Sequence, residues 1–204
     1  MTRYLDIHPV NPQQRLLDKA AAILDQGGVV VYPTDTTYGL GCAITNRKGV
    51  QKILQLKGLP ANHQLSFLCP NLSDIAKYAL VDSQAYRMLK RLLPGPFTFV
   101  LDATREVPKH ILPKRKTIGL RIPDHPICLG LLETFGQPIL STTLRLPEGD
   151  VLTDPEEIRE KLTDRVDLIV GGGVLPNRPS TVVSLTKGYP EILREGAGDP
   201  ALLR

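Results

Sequence analysis

A mixed α/β fold, one sheet with helices packed against it, follows from three features of the 204-residue chain. Stretches with apolar residues at helical spacing alternate throughout with short runs of β-branched and aromatic residues. Several of those runs are apolar without interruption, the pattern of strands buried on both faces. No repeat, low-complexity segment or linker divides the sequence, so it reads as a single domain over residues 1–204 with its core at about 11–198.

The elements follow in order. Asn11 and Pro12 offer an N-cap and a first-turn proline for the opening helix, whose apolar stripe is Leu16, Leu17, Ala20, Ile23 and Leu24. Gly27 and Gly28 end it, and Val29, Val30, Val31 and Tyr32 form the first strand. A second helix starts near Asn46 and buries Val50, Ile53 and Leu54. Residues 65–69 read as a strand and 73–80 and 83–92 as helices, before Pro94, Gly95 and Pro96 break the chain. Strands are expected at 97–101 and 117–122, with one short helical turn between 105 and 116. An amphipathic helix runs from Pro126 until Gly136 stops it, and 138–141 is a strand ending in hydroxyls. Asp154, Pro155 and Glu157 supply the cap, first-turn proline and third-position acid of another helix. Strands at 166–170, 181–185 and 191–194 complete the set, and 144–153 is expected to be the most mobile loop.

Composition excludes several classes. The 42% hydrophobic and 23% charged content is that of a globular chain, and no apolar run nears the ~20 residues of a membrane helix. The first six residues lack the apolar core of a signal peptide. Cys42, Cys69 and Cys128 lie far apart without a C-x-x-C pair, which argues for a reducing cytoplasm and against disulfides or zinc. His8, His63, His110 and His125 show no metal-ligand spacing, so no protein-held metal is expected. The triple glycine at 171–173 lacks the Lys-Ser/Thr of a phosphate loop, and no G-x-S-x-G elbow occurs.

The net charge of +4 is unevenly spread. Nine Lys or Arg residues lie between Arg87 and Arg121 against only Asp102 and Glu106, a local +7 that leaves the rest of the chain near −3. Such a segment, centred on Lys114, Arg115 and Lys116, suits a phosphate-bearing partner such as double-stranded RNA or tRNA; a solvated face accounts for it as well.

Three polar clusters border predicted strands. Pro33-Thr34-Asp35-Thr36-Thr37-Tyr38-Gly39-Leu40-Gly41 follows the first strand, and Ser141-Thr142-Thr143 and Pro179-Ser180-Thr181 show the same arrangement after other strands. Hydroxyls that converged on one edge would build a polar pocket, and glycines would let a ligand approach the backbone. Alternatively, each is a turn that satisfies its own backbone. Arg121 near the end of an apolar strand needs a carboxylate or phosphate, from a ligand or from an internal acid. Lys57 suits either a ligand or its own helix C-terminus, and Arg194 either a phosphate or the surface.

These segments also match a known pattern. Residues 33–41 fit P-T-[DE]-T-x-Y-G-L-G, Lys57-Gly58-Leu59-Pro60 falls on K-x-R-P, and Pro94-Gly95-Pro96-Phe97-Thr98 on P-G-P-x-T. Arg121-Ile122-Pro123-Asp124-His125-Pro126 falls on R-x-P-x-H-P, Ser141-Thr142-Thr143 on S-x-N, residues 179–183 on P-S-T-V-V and 192–196 on I-L-R-x-G. In these, and in order from residue 11 to 198, the chain resembles the YrdC/TsaC-type threonylcarbamoyl-AMP synthases; its opening residues 8–16 are similar to the YciO branch.

The resemblance implies a YrdC-like twisted mixed parallel/antiparallel sheet flanked by helices, with a basic concave surface. It implies L-threonine, bicarbonate and ATP with Mg²⁺ as reactants, and a product that feeds threonylcarbamoyladenosine modification of tRNA. Thr36, Arg121, Ser141 and Ser180 would hold threonine; Lys57, Thr117, Thr143 and Arg194 would line the ATP site, with Lys57 and Arg121 acting in catalysis. Two positions depart from the pattern: Leu59 replaces an Arg and Thr143 an Asn. Each lost charge-assisted contact is worth ~1.5–3 kcal/mol, so the expected rate falls on the order of 10²–10⁴-fold if the losses add. The alternative reading is a non-catalytic double-stranded RNA-binding protein.

Overall fold

The structure, a computed structural model, describes residues 1–61, 63–111, 116–147 and 149–203. The strands are β1 (Arg3–Asp6), β2 (Val30–Tyr32), β3 (Gly39–Ala43), β4 (Ser66–Leu68), β5 (Phe97–Asp102), β6 (Thr117–Arg121), β7 (Ile139–Thr143), β8 (Leu168–Gly171), β9 (Thr181–Ser184) and β10 (Glu191–Arg194). The helices are α1 (Gln14–Asp25), α2 (Arg47–Leu56), α3 (Leu72–Tyr78), α4 (Ser83–Leu92), α5 (Pro126–Phe135) and α6 (Pro155–Leu162).

Local chemistry explains most helix ends. The Asn46 side chain accepts the Gly49 N–H at 2.9 Å to start α2, Asp82 accepts from Gln84 and Ala85 to start α4, and Asp154 caps α6. Gly136, at φ 72°, takes the left-handed conformation that closes α5. Helix α1 departs from expectation by starting at Gln14. His8 Nδ1 accepts the N–H groups of Val10 and Asn11 at 3.3 and 3.1 Å, folding 8–11 into a turn, and Gln13, whose carbonyl accepts the N–H groups of Leu16 and Leu17, takes the N-cap position in place of Asn11.

The strands form one mixed sheet in the order β1-β8-β2-β3-β7-β4-β6-β5-β9-β10. Neighbours β1–β8, β8–β2, β4–β6 and β5–β9 are parallel; the others are antiparallel. Two strands go beyond the sequence reading. Arg3–Asp6 is a short edge strand with little apolar signal, and Gly39–Ala43, read as loop, pairs with β2 on one side and β7 on the other.

One face of the sheet is covered across its central strands. Val31, Leu40, Phe67, Phe99, Leu120, Leu140, Ile169 and Val183 point there and pack with residues of α2, α3, α4 and α6. The opposite face is covered by α1 and α5 only over part of its width, where Val30, Tyr32, Leu68, Ile139, Leu168 and Val170 meet Leu17, Leu24, Ile127, Leu131 and Leu132. No residue of β5, β6 or β9 belongs to that second core. Half of this face is therefore open, and its alternate positions are polar or small.

Tyr32 ties the covered part to the open part. Its buried ring lies across β3, and its hydroxyl donates to Ser141 Oγ on β7 at 2.6 Å. Gly39 and Gly41 are small for this reason: a Cβ would stand 2.7 Å from the Tyr32 ring at the first and 2.6 Å from its hydroxyl at the second. At Gly41 it would also stand 2.6 Å from the Leu140 carbonyl oxygen, which cannot swing away. Gly41→Ala is expected to cost about 1–3 kcal/mol by overpacking; urea unfolding of the two proteins measures it, and an unchanged midpoint would contradict the packing described.

Candidate functional site

Period-two alternation sets what the open face presents. On β7, Ile139, Ser141 and Thr143 share a side; on β6, Thr117, Gly119 and Arg121; on β5, Thr98 and Val100; on β4, Ser66 and Leu68. With Ser180, Val182, Leu193 and Arg194 these residues line a cavity of about 270 Å³, Ile139 and Thr117 excepted. Thr117 stands on the same face two residues beyond Gly119. A Cβ at Gly119 would approach Ser66 Oγ to 2.7 Å, so glycine keeps the floor open.

Arg121 is the centre of this cavity and is only 7% exposed. Of the partners left open by its sequence context, the internal acid is present: its Nη2 pairs with Asp35 Oδ1 at 2.5 Å, its Nη1 donates to Thr36 Oγ1 at 2.9 Å, and the residue lines the cavity. Two of its five N–H donors are thereby engaged, and Nε is buried without a partner among the described residues. Asp35 Oδ2 and His125 Nδ1 share that condition. Burial pulls the His125 pKa down against the opposing pull of Asp35 and Asp124.

The hydroxyls of the 33–41 segment divide between two tasks. Thr34 Oγ1 donates to the Thr37 carbonyl at 2.6 Å and accepts the N–H groups of Thr36 and Thr37, closing the β2–β3 connection. Thr36, 1% exposed, serves Arg121. Gly39 and Gly41 make room for Tyr32 and not for a ligand. Ser141 accepts from Tyr32, which leaves its own O–H free to donate into the cavity. Ser180 Oγ bonds Thr98 Oγ1 at 2.8 Å, and Arg194 Nη2 donates to the Ser180 carbonyl at 2.8 Å.

A second cavity of about 380 Å³ adjoins the first and shares His63, Thr142, Thr143 and Arg194 with it. Lys57, Leu59, Arg145, Leu146, Pro147, Val151 and Pro179 complete its walls. Lys57, the residue after α2, sends Nζ to the Thr143 carbonyl across the groove and not back to its own helix. Burial, and then the charge of Arg145, lower the Lys57 pKa to about 8. Burial and Lys57 lower that of His63, which is neutral at pH 7, while burial and Arg121 lower that of Arg194, which stays charged. No Asp or Glu lines either cavity among the described residues.

The sequence-predicted residues Arg121, Ser141, Thr143, Ser180 and Arg194 are thus brought to one groove, with Lys57 at its second lobe and Thr36 behind the guanidinium. Lys114 and Arg115 lie outside the described residues, and Lys116 is exposed. Sequence reasoning missed Ser66, Thr98, Gly119, Thr142, His63 and Arg145. The signal for the first three was alternation: each is a polar or small residue between two apolar ones.

The groove has room for a small carboxylate-bearing molecule against a guanidinium and hydroxyl donors, beside a lobe lined by cations and apolar side chains. Known proteins share this frame. The Sua5/YciO/YrdC family profile, described as telomere recombination, matches residues 22–196. The YciO protein of Escherichia coli K12 is 46% identical over 201 residues, covering 98% of each chain, and a crystal structure of E. coli YciO superposes with a TM-score of 0.95 over the full length of both. The threonylcarbamoyl-AMP synthase of Halorhodospira halophila is 33% identical over 154 residues, 75% of this chain and 81% of that one. The structure of Pyrococcus abyssi Sua5 complexed with L-threonine has a TM-score of 0.89 at 28% identity, over 96% of this chain and 58% of that one.

The shifted Lys57 gives a test of the second lobe. Its folded pKa of about 8 lies below its ordinary 10.5, so between those values the unfolded chain binds more protons and stability rises with pH from this group. Below pH 8 the buried charge is a full penalty; above 10.5 it is gone. Lys57→Met is therefore expected to gain stability relative to wild type at pH 7, with the difference narrowing from pH 8 to 10.5. Urea midpoints across that range measure it, and a constant difference would count against the buried charge.

Proposed function

Since the chain belongs to the Sua5/YciO/YrdC family, we propose that it binds L-threonine and ATP in the two-lobed groove and condenses them with bicarbonate to L-threonylcarbamoyladenylate. One observation carries this reading: hydroxyl side chains from separate strands surround a buried guanidinium, and the same cavity opens into a lobe of cations without acidic partners. The threonylcarbamoyl-AMP synthases among its relatives and the threonine complex of Sua5 support it.

In this reading Arg121 takes the threonine carboxylate through donors not spent on Asp35 and Thr36, and Ser141 and Ser180 contribute hydroxyl contacts. Thr36 holds the guanidinium in place. The threonine nitrogen attacks bicarbonate, water leaves, and the resulting carbamate oxygen attacks the α-phosphorus of ATP as pyrophosphate departs. Lys57 and Arg194 carry the charge that develops on the phosphates, with Thr143 and Thr117 further along the nucleotide. Placement and charge stabilisation do this work, and no side-chain base is needed. Mg²⁺ would accompany ATP as the triphosphate's counter-ion. The described lining residues offer it no carboxylate, and no His/Cys/Asp/Glu group able to hold a metal occurs among the described residues, so no step is assigned to it.

A second reading, in which the chain binds double-stranded RNA or tRNA through its basic segment, is favoured by one observation. Arg87, Lys90, Arg105, Lys109 and Lys116 are all exposed and enter none of the ion pairs found among the described residues. It serves either a tRNA-linked enzyme of the cytoplasm or a non-catalytic RNA binder. No helix among the described residues is long and apolar enough to cross a membrane.

Two measurements separate these readings. Calorimetric titration with threonine and ATP should give binding to wild type, and Gly119→Val, which fills the cavity floor, should remove the threonine signal while the fold persists. Threonine- and bicarbonate-dependent exchange of pyrophosphate into ATP should follow; its absence at high protein concentration would sink the synthase reading while leaving ligand binding intact. RNA binding should weaken steeply as salt rises, because phosphate contacts release counterions. Affinity for a duplex RNA that ignores salt, or that survives changing Lys109, Lys114, Arg115 and Lys116 to Glu, would refute the RNA reading.

A further inference from the structure

Building on the reading of the second lobe as a triphosphate site, we propose that Arg145 is a phosphate-binding residue of the groove, supplying from the end of β7 the cation that Leu59 does not supply from the end of α2. The two positions face one lobe: Leu59 and Arg145 both line the second cavity, together with Lys57 and Arg194. Their segments are also neighbours. A Cβ at Gly58 would stand 3.2 Å from Pro147 Cγ, and Leu59 and Leu146 lean on the same core. The turn that carries Leu59 and the hairpin that carries Arg145 therefore touch, and a charge moved from one to the other stays in the same lobe.

The backbone at Arg145 is firmly held. Leu144 N–H donates to the Tyr38 carbonyl at 2.8 Å, Leu152 N–H to the Leu144 carbonyl at 3.0 Å, and Arg145 pairs with Val151 in an antiparallel bridge. Continuing the alternation of β7, position 145 falls on the side of Ser141 and Thr143, which is the open face. The guanidinium itself is largely uncommitted. Its Nε donates to the Gly149 carbonyl at 3.0 Å, and no carboxylate pairs with it among the described residues. Some cations elsewhere do have acidic partners, as Lys52 with Asp167, Lys161 with Glu157 and Lys187 with Glu191.

Arg145 and Lys57 also repel, and that repulsion adds to burial in lowering the Lys57 pKa. Two cations held together on apolar walls without an acid are a cost in the free protein that a polyanion relieves. A guanidinium suits this place better than an ammonium, because its planar fork binds two phosphate oxygens at once.

The test is calorimetric titration of ATP, AMP and inorganic tripolyphosphate into wild type, Arg145→Gln and Arg145→Gln/Leu59→Arg, with circular dichroism melts to confirm folding. Arg145→Gln should weaken ATP and tripolyphosphate about tenfold to a hundredfold and leave AMP unchanged. Leu59→Arg should recover most of the loss, which a merely structural role for Arg145 would not allow. Wild-type affinity for both polyphosphates in Arg145→Gln overturns the proposal while the nucleotide reading stands. If wild type binds tripolyphosphate and not ATP, the nucleotide reading fails and the tripolyphosphate series alone decides Arg145. Binding of neither removes both.

Discussion

The structure depends on a mixed sheet whose central strands are covered by helices on one face and only partly on the other. A strand buried on both faces must be apolar at every position, whereas one with an open face must alternate. β2 and β8 show the first pattern, with Val30, Val31, Tyr32, Leu168, Ile169 and Val170 all buried. β5 and β6 show the second: Phe97, Phe99, Ile118 and Leu120 face the helices, and Thr98, Val100, Thr117 and Gly119 face the groove. The missing helix layer over β6, β5 and β9 is what creates a floor, and a floor made of strands fixes side chains more rigidly than loops would.

On that floor a single ion pair organises the charge. Arg121 and Asp35 come from β6 and from the β2–β3 connection, 86 residues apart, and meet with both side chains nearly buried. Removing one partner of such a pair typically costs about 3–5 kcal/mol, because the other is left charged and dry. The pair holds Thr36 and the connection against the sheet, so the motif from Pro33 to Gly41 is organised from outside itself as well as by Thr34. Its bonding capacity is not exhausted, since Arg121 Nε and Asp35 Oδ2 are buried without partners among the described residues, and His125 Nδ1 is too. A buried polar group without a partner costs about 1–3 kcal/mol, and such groups gathered at one place mark a site built for more contacts than the protein alone supplies.

Much of this was legible in the sequence, and the gaps have physical causes. Helix caps at Asn46, Asp82 and Asp154 are local, and the last was read directly. Asn11 was misread because it belongs to a turn closed by His8, and the helix starts only after Gln13. The hydroxyls of Ser141 and Thr143 were expected beyond a strand end; they lie within β7, because the strand runs on between β3 and β4. That pairing joins segments about 75–100 residues apart, and no local pattern encodes which strands become neighbours. The same limit explains the glycines of the 33–41 segment. Their need for space comes from Tyr32, seven to nine positions upstream, and only the antiparallel register of β2 on β3 brings its ring over them. Arg145 was hidden for another reason: it lies in a segment read as loop, where an exposed arginine carries no signal until the lobe around it is seen.

The two departures from the family pattern are not equivalent. Thr143 replaces an amide donor, but the contact it makes with Lys57 runs through its backbone carbonyl and is indifferent to the side chain. Lys57 is therefore positioned by the path of β7, and changing residue 143 alters only what the side chain offers to the two cavities it lines. Leu59 is different, since a leucine there packs on the core and offers no charge at all. The sum of two full charge-assisted losses thus overstates the effect: one position loses a neutral donor, worth about 0.5–1.5 kcal/mol, and only the other loses a cation. With Lys57, Arg145 and Arg194 around it, the lobe still carries three cationic side chains, and it carries them on different elements.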